Sequence, residues 1–183
     1  RIDYVSNQIQ SLVLKHYGIS PWEINVITSI LDKRFKTEDE EIENTYEDKF
    51  VSHLEISFPY SFNEEFFKWF DFKEWDRLKG VFKEMKRRRG NGKAIKIELN
   101  FAGEPDIIFK IKSDQSQWFK MEVEKIDFVV ELLPYHLEPD KIPEGVKKVI
   151  YNFNQETARW KINTIYTNDE IFVNSEKGWK LTT

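Results

Sequence analysis

An α+β fold is the class this sequence predicts: an N-terminal helical hairpin plus an antiparallel β-meander packed against a long amphipathic helix. Three observations carry it. Phe72, Trp75, Leu78, Phe82 and Met85 recur at steps of three and four, which puts them on one face of a helix over 71–89. Ile95, Ile97, Leu99 and Phe101 alternate with Lys96, Glu98 and Asn100, the period of a half-buried strand. Short turns separate the later apolar runs, and short connections join only antiparallel neighbours.

In chain order, Ile2, Val5, Ile9, Leu12 and Val13 share a helical face, and Gly18 supplies a stop. Ser20-Pro21-Trp22-Glu23 then gives an N-cap, proline at the first helical position and glutamate at the third, opening a helix that carries Ile24, Ile27, Leu31 and Phe35. Two helices joined by a turn form the predicted hairpin, residues 1–36. As a DNA-reading helix-turn-helix it is poorly equipped, because Trp22 and Glu23 open the second helix where base-reading side chains belong. Residues 37–49 read as an acidic connecting loop rich in Glu and Asp. The main α+β domain is expected over 50–183, or as one continuous domain with the hairpin.

Leu54, Ile56 and Phe58 alternate with His53, Glu55 and Ser57 as a strand, and Ser61-Phe62-Asn63-Glu64 opens a short aromatic helix running to Phe70. Asp71 caps the long helix, with Glu74 completing a capping box, and Gly90 stops it after about 28 Å. Beyond 95–101, a second alternation over 106–112 follows the turn Ala102 to Pro105. Phe119, Met121 and Val123 then alternate as a third strand that continues through Ile126, Phe128, Val130 and Leu132 after a one-residue slip at Lys125, read as a bulge. Residues 147–153, 158–166 and 170–174 read as further strands, with 144–158 open to a helical reading. A strand, two helices and then strands resembles the helix-grip arrangement of START-like lipid-binding domains, which implies a ligand cavity under the helix. The long C-terminal helix of that family has no counterpart here.

Composition narrows the function classes. The 183 residues include 15 Phe, 7 Tyr and 6 Trp against three alanines, so the core is aromatic. Without cysteine there is no disulfide, thiolate metal site or cysteine nucleophile, as expected of a cytoplasmic protein. No apolar run is long enough for a membrane span, and the first residues lack signal-peptide order. The chain begins at Arg1 rather than Met and stops in strand-like sequence, so it is expected to be a piece of something longer. High Lys, Glu and Ile without Cys suits a thermophile. A net charge of −4 marks no global attraction to nucleic acid.

Two groups of residues could carry function. Lys86, Arg87, Arg88, Arg89 and Lys93, around the Gly90–Gly92 turn, have the composition of a contact for nucleic acid or another polyanion, or for an acidic protein partner. The acidic 38–48 segment is a third candidate partner for them, within the chain or in a second copy, and a homo-oligomer is compatible with this. Gly103-Glu104-Pro105-Asp106 and Glu122-Val123-Glu124 form the second group. In a hairpin symmetric about Gln115, Asp106 would face Glu124 with Glu122 beside it, and three carboxylates at that spacing suit Mg²⁺ and the activation of water.

This second group resembles the Pro-Asp and Glu-x-Lys pattern of restriction-type nucleases, over some twenty residues. The resemblance implies Asp106, Glu122 and Glu124 as catalytic and metal-binding residues. The lysine of that pattern falls on Glu124, with Lys125 one place out. Outside this reading no cofactor is expected. The three histidines stand apart, and no nucleophile elbow or dinucleotide fingerprint is present. The leading expectation is a non-catalytic binding or interaction domain. The nuclease-like enzyme and the helix-grip ligand binder are its alternatives.

Overall fold

A computed structural model describes residues 10–44 and 49–182. Fourteen elements follow one another in these segments: β1 (Ser11–Tyr17), α1 (Pro21–Leu31), β2 (Lys36–Glu41), β3 (Ser52–Phe58), α2 (Glu64–Phe70), α3 (Phe72–Arg89), β4 (Ile95–Phe101), β5 (Asp106–Ile111), α4 (Ser116–Glu124), α5 (Val129–His136), β6 (Lys148–Asn154), β7 (Arg159–Tyr166), β8 (Ile171–Ser175) and β9 (Gly178–Leu181). The nine strands form one mixed sheet in the order β2-β1-β3-β4-β5-β6-β7-β8-β9.

The N-terminal helical hairpin is not formed. Its first half within the described residues is the strand β1, in which Leu12, Leu14 and His16 point into the core. Residues 1–9 lie outside the described structure. His16, only 8% exposed, occupies an inward position, and that hid the alternation from a reading by hydrophobicity. The acidic segment is corrected too: Lys36–Glu41 is an edge strand parallel to β1, reached through α1. Its sequence has no apolar alternation, so only pairing and the buried anchor Phe35 place it there. A charged edge also discourages strand addition by other chains. Residues 45–48 lie outside the described structure.

The uniform antiparallel meander is corrected as well. Three helical crossovers make β1–β2, β3–β4 and β5–β6 parallel, and only β6 to β9 run as an antiparallel meander. The strand expected over 118–132 is instead α4 and α5. Phe119, Glu122, Val123, Ile126 and Val129 are its buried positions, a helical spacing that needs no slip at Lys125.

Local signals hold elsewhere. Ser20 and Glu23 form the reciprocal capping box of α1, and Asp71 caps α3 by accepting from the Lys73 amide. Trp75, Leu78, Phe82 and Met85 of α3 are buried, whereas Phe72 is half-exposed. Glu74 leaves the expected capping box and pairs with Lys33 at 3.1 Å. The core is aromatic: Phe58 stacks on Phe101 at 4.8 Å, and Phe109 on Tyr151 at 5.0 Å. α3 lies between α1 and α4, over the sheet face that carries Leu54, Ile56, Ile97 and Leu99.

Candidate functional site

The basic run at the end of α3 is divided among four tasks. Lys86 is fully buried; its Nζ donates to the Gly92 carbonyl at 2.9 Å and the Asp114 carbonyl at 3.2 Å, and lies 5.7 Å from the Phe119 ring centre. Burial pulls its pKa below the usual lysine value. Arg89 grips both carboxylate oxygens of Glu23 at 2.8 Å and also reaches Ser52 Oγ and the Met85 carbonyl. That fork, more than any other contact, holds the Glu23 carboxyl down to about 2. Arg87 donates its Nε–H to both oxygens of Glu84 at 2.8 Å. Arg88 lies 4.5 Å over the Trp22 ring, and Lys93 is exposed. Lys86 and Arg89 thus close the fold, and Arg87 and Arg88 are already engaged at the surface.

The three carboxylates singled out in the sequence are not gathered in one place. Asp106 opens β5 and accepts the Gly103 amide at 2.8 Å. Glu122, 4% exposed, accepts the Lys112 and Ser113 amides at the other end of that strand, roughly 20 Å along it. Burial pushes its carboxyl up to about 7. Glu124 faces α3, where it bonds Lys83 and lies 3.6 Å from Lys79. The hairpin that would have opposed Asp106 to Glu124 does not form, because 116–124 is helical. Among the described residues, no three His, Cys, Asp or Glu side chains gather as a metal site.

Two features escaped the sequence reading. The first is a groove of about 440 Å³ between α1 and α3. Trp22, Val26, Ile30, Val81 and Met85 give it apolar walls, and Arg77, Glu84 and Arg88 stand at its rim. Trp22 is 57% exposed, a large apolar surface left open at the groove mouth. Gly80 sits in the middle of α3 and lines the groove, and a Cβ there would meet nothing within 4 Å. The recurrent apolar positions of each helix were legible, but not that their flanks leave a gap when the helices meet.

The second feature crosses the sheet face away from the helices. Lys15, Glu55, Glu98 and Lys110 are successive cross-strand partners on β1, β3, β4 and β5. Burial first, then a hydrogen bond to Glu98 and its charge, push the Glu55 carboxyl up to about 7. Both glutamates stood at polar positions of expected strands. Their meeting depends on the parallel pairing of β3 with β4 around α2 and α3, which no local pattern announces.

No helix among the described residues is long and apolar enough to cross a membrane. Comparison with family models, with curated proteins and with solved structures finds no match for this chain.

Proposed function

We propose that this is a protein-interaction module whose site is the groove between α1 and α3, and that its partner is an acidic segment carrying apolar anchor side chains. The groove itself is the observation that carries the reading. Its volume and apolar walls match a site that buries a few large side chains. At the rim two cations, Arg77 (3.5 Å from Glu74) and Arg88 (over the Trp22 ring), stand against one carboxylate, Glu84, and that local balance supports carboxylates beside those anchors. An amphipathic helix or extended segment laid between two helices is a familiar geometry for such a site.

Nucleic acid suits this end of the molecule less well. Affinity for a phosphate backbone comes from cations free to neutralise it, whereas here Lys86 is buried, Arg89 is held by Glu23 and Arg87 by Glu84.

Gly80 gives the test. An alanine there is expected to stabilise the folded state by about 1 kcal/mol, because it removes the helix-interior glycine penalty without a clash; guanidinium unfolding measures this. Gly80→Leu should keep the fold and fill the groove. Peptides selected from a displayed random library against the wild type are expected to carry Asp or Glu beside Leu, Phe or Trp, and to bind Gly80→Leu about tenfold or more weakly. Selected peptides that bind both proteins equally would overturn the groove as the site. Salt-sensitive binding of labelled single-stranded DNA or RNA, unchanged in Gly80→Leu and lost in Arg87/Arg88→Ala, would restore the polyanion reading in its place.

A further inference from the structure

A second cavity, of about 240 Å³, lies on the other side of the sheet, where β3 and β4 end and β5 and β6 begin. Ser57, Asn100, Ile108, Asp106 and Lys148 line it. It shares no residue with the α1–α3 groove, so the two stand or fall separately.

Three observations bear on what it holds. Asn100 donates its Nδ2–H to Ser57 Oγ at 3.1 Å, while its Oδ1 is buried without a partner. A buried acceptor left unpaired is a standing cost that a bound donor would remove. Asp106 and Lys148 are cross-strand partners at the start of β5 and β6, yet no ion pair joins them. Asp106 uses Oδ1 on the Gly103 amide, and Lys148 Nζ lies 5.1 Å over the Tyr166 ring. Both charged side chains line the same small cavity and both are half-buried. A carboxylate and an ammonium held side by side but apart leave room for a molecule that presents the opposite charge to each.

We infer that this cavity binds a free α-amino acid, its ammonium group donating to Asp106 and Asn100 Oδ1 and its carboxylate accepting from Lys148. A cation alone would leave the Lys148 ammonium with only the Tyr166 ring, and an anion alone would add nothing for the Asp106 carboxylate and leave Asn100 Oδ1 unpaired. A zwitterion with both charges on one carbon satisfies all three within this volume, and Ile108 gives its side chain an apolar wall.

The test is a titration of the ¹⁵N-labelled protein with glycine, alanine and serine, following the Ser57, Asn100 and Asp106 amides and the Asn100 side-chain NH₂. Saturable shifts are expected with the free amino acids. N-acetylglycine and glycinamide, each missing one charge, should give none. Asp106→Asn keeps an acceptor for the Gly103 amide and Lys148→Met keeps the side-chain length, so both should fold as the wild type does. Each is expected to weaken binding about tenfold, the loss of one charge-assisted contact. Absence of a saturable shift up to roughly 10 mM, well above the affinity expected of a ligand with so few atoms, overturns the inference. So does equal binding of the blocked derivatives, which would show that one charged end suffices.

Discussion

Replacing Arg89 with alanine is expected to cost about 3–5 kcal/mol of folding stability, the range for removing one partner of a buried ion pair. Glu23 is 3% exposed and Arg89 holds both its oxygens at 2.8 Å. Without the guanidinium the carboxylate stays buried with only Ser20 as its partner. The same arginine reaches Ser52 Oγ and the Gly18 and Met85 carbonyls, so one side chain joins the β1–α1 turn, the start of β3 and the end of α3. Chemical unfolding at pH 7 reads the loss directly, and Arg89→Lys should recover only part of it, because an ammonium lacks the planar fork. The acid limb is a second readout. The Glu23 carboxyl is depressed to about 2 from 4.5, so the stability it contributes is complete above pH 4.5 and disappears as pH falls through 2. In Arg89→Ala that part of the acid dependence should vanish. An Arg89→Ala protein as stable as the wild type, with the same acid limb, would show that water replaces the guanidinium and that the pair is not a tertiary clamp.

That pair also marks where sequence reading stops. The Ser20 to Glu23 capping box was legible because all its partners lie within four residues, and the last turn of α3 was legible as a basic run. That Glu23 leaves solvent to meet Arg89, 66 residues away, is a matter of how α1 and α3 pack. The basic run read as one surface patch, when packing sends Lys86 inward and Arg89 sideways. Secondary structure divides along the same line. β4 was legible because its alternation is strict, β5 because Ile107, Phe109 and Ile111 keep the period despite Ile108, and α3 because its apolar face is long. Residues 118–132 satisfied a strand template only if a slip was allowed at Lys125; the slip was the sign of a helical period. β2 could not be read at all, since Thr37-Glu38-Asp39-Glu40-Glu41 has no apolar side chain and gains strand form from β1 alone. For the sites, Asp106 was singled out for a partnership across a hairpin that does not form, and it faces Lys148 on β6 instead.

Glu122 carries the other large expectation, and it runs against habit: replacing a buried, doubly hydrogen-bonded carboxyl should stabilise the protein in alkali. Its carboxyl is raised to about 7 from 4.5 because burial outweighs the Lys112 and Ser113 amides and the nearby charges of Lys112 and Lys86. The folded state therefore binds this proton more tightly than the unfolded chain. Stability from the group is complete below pH 4.5 and is lost as pH rises through 7, by at most about 3 kcal/mol. Glu122→Gln presents the same Oε1 to the two amides but has no proton to lose. It should match the wild type at pH 4.5 and exceed it by about 2–3 kcal/mol at pH 8.5, measured by guanidinium unfolding at both values. Glu55, raised to about 7 beside Glu98 on the opposite sheet face, titrates in the same window. Some alkaline loss should therefore persist in Glu122→Gln and diminish further when Glu55→Gln is added. With Glu23 acting only below pH 4.5, the wild type should be most stable in mild acid. Equal pH slopes for the wild type and Glu122→Gln would mean that the buried ammonium of Lys86 keeps Glu122 ionised throughout. In that case the charge on Lys86, rather than the proton on Glu122, stabilises the junction of α3, α4 and β5.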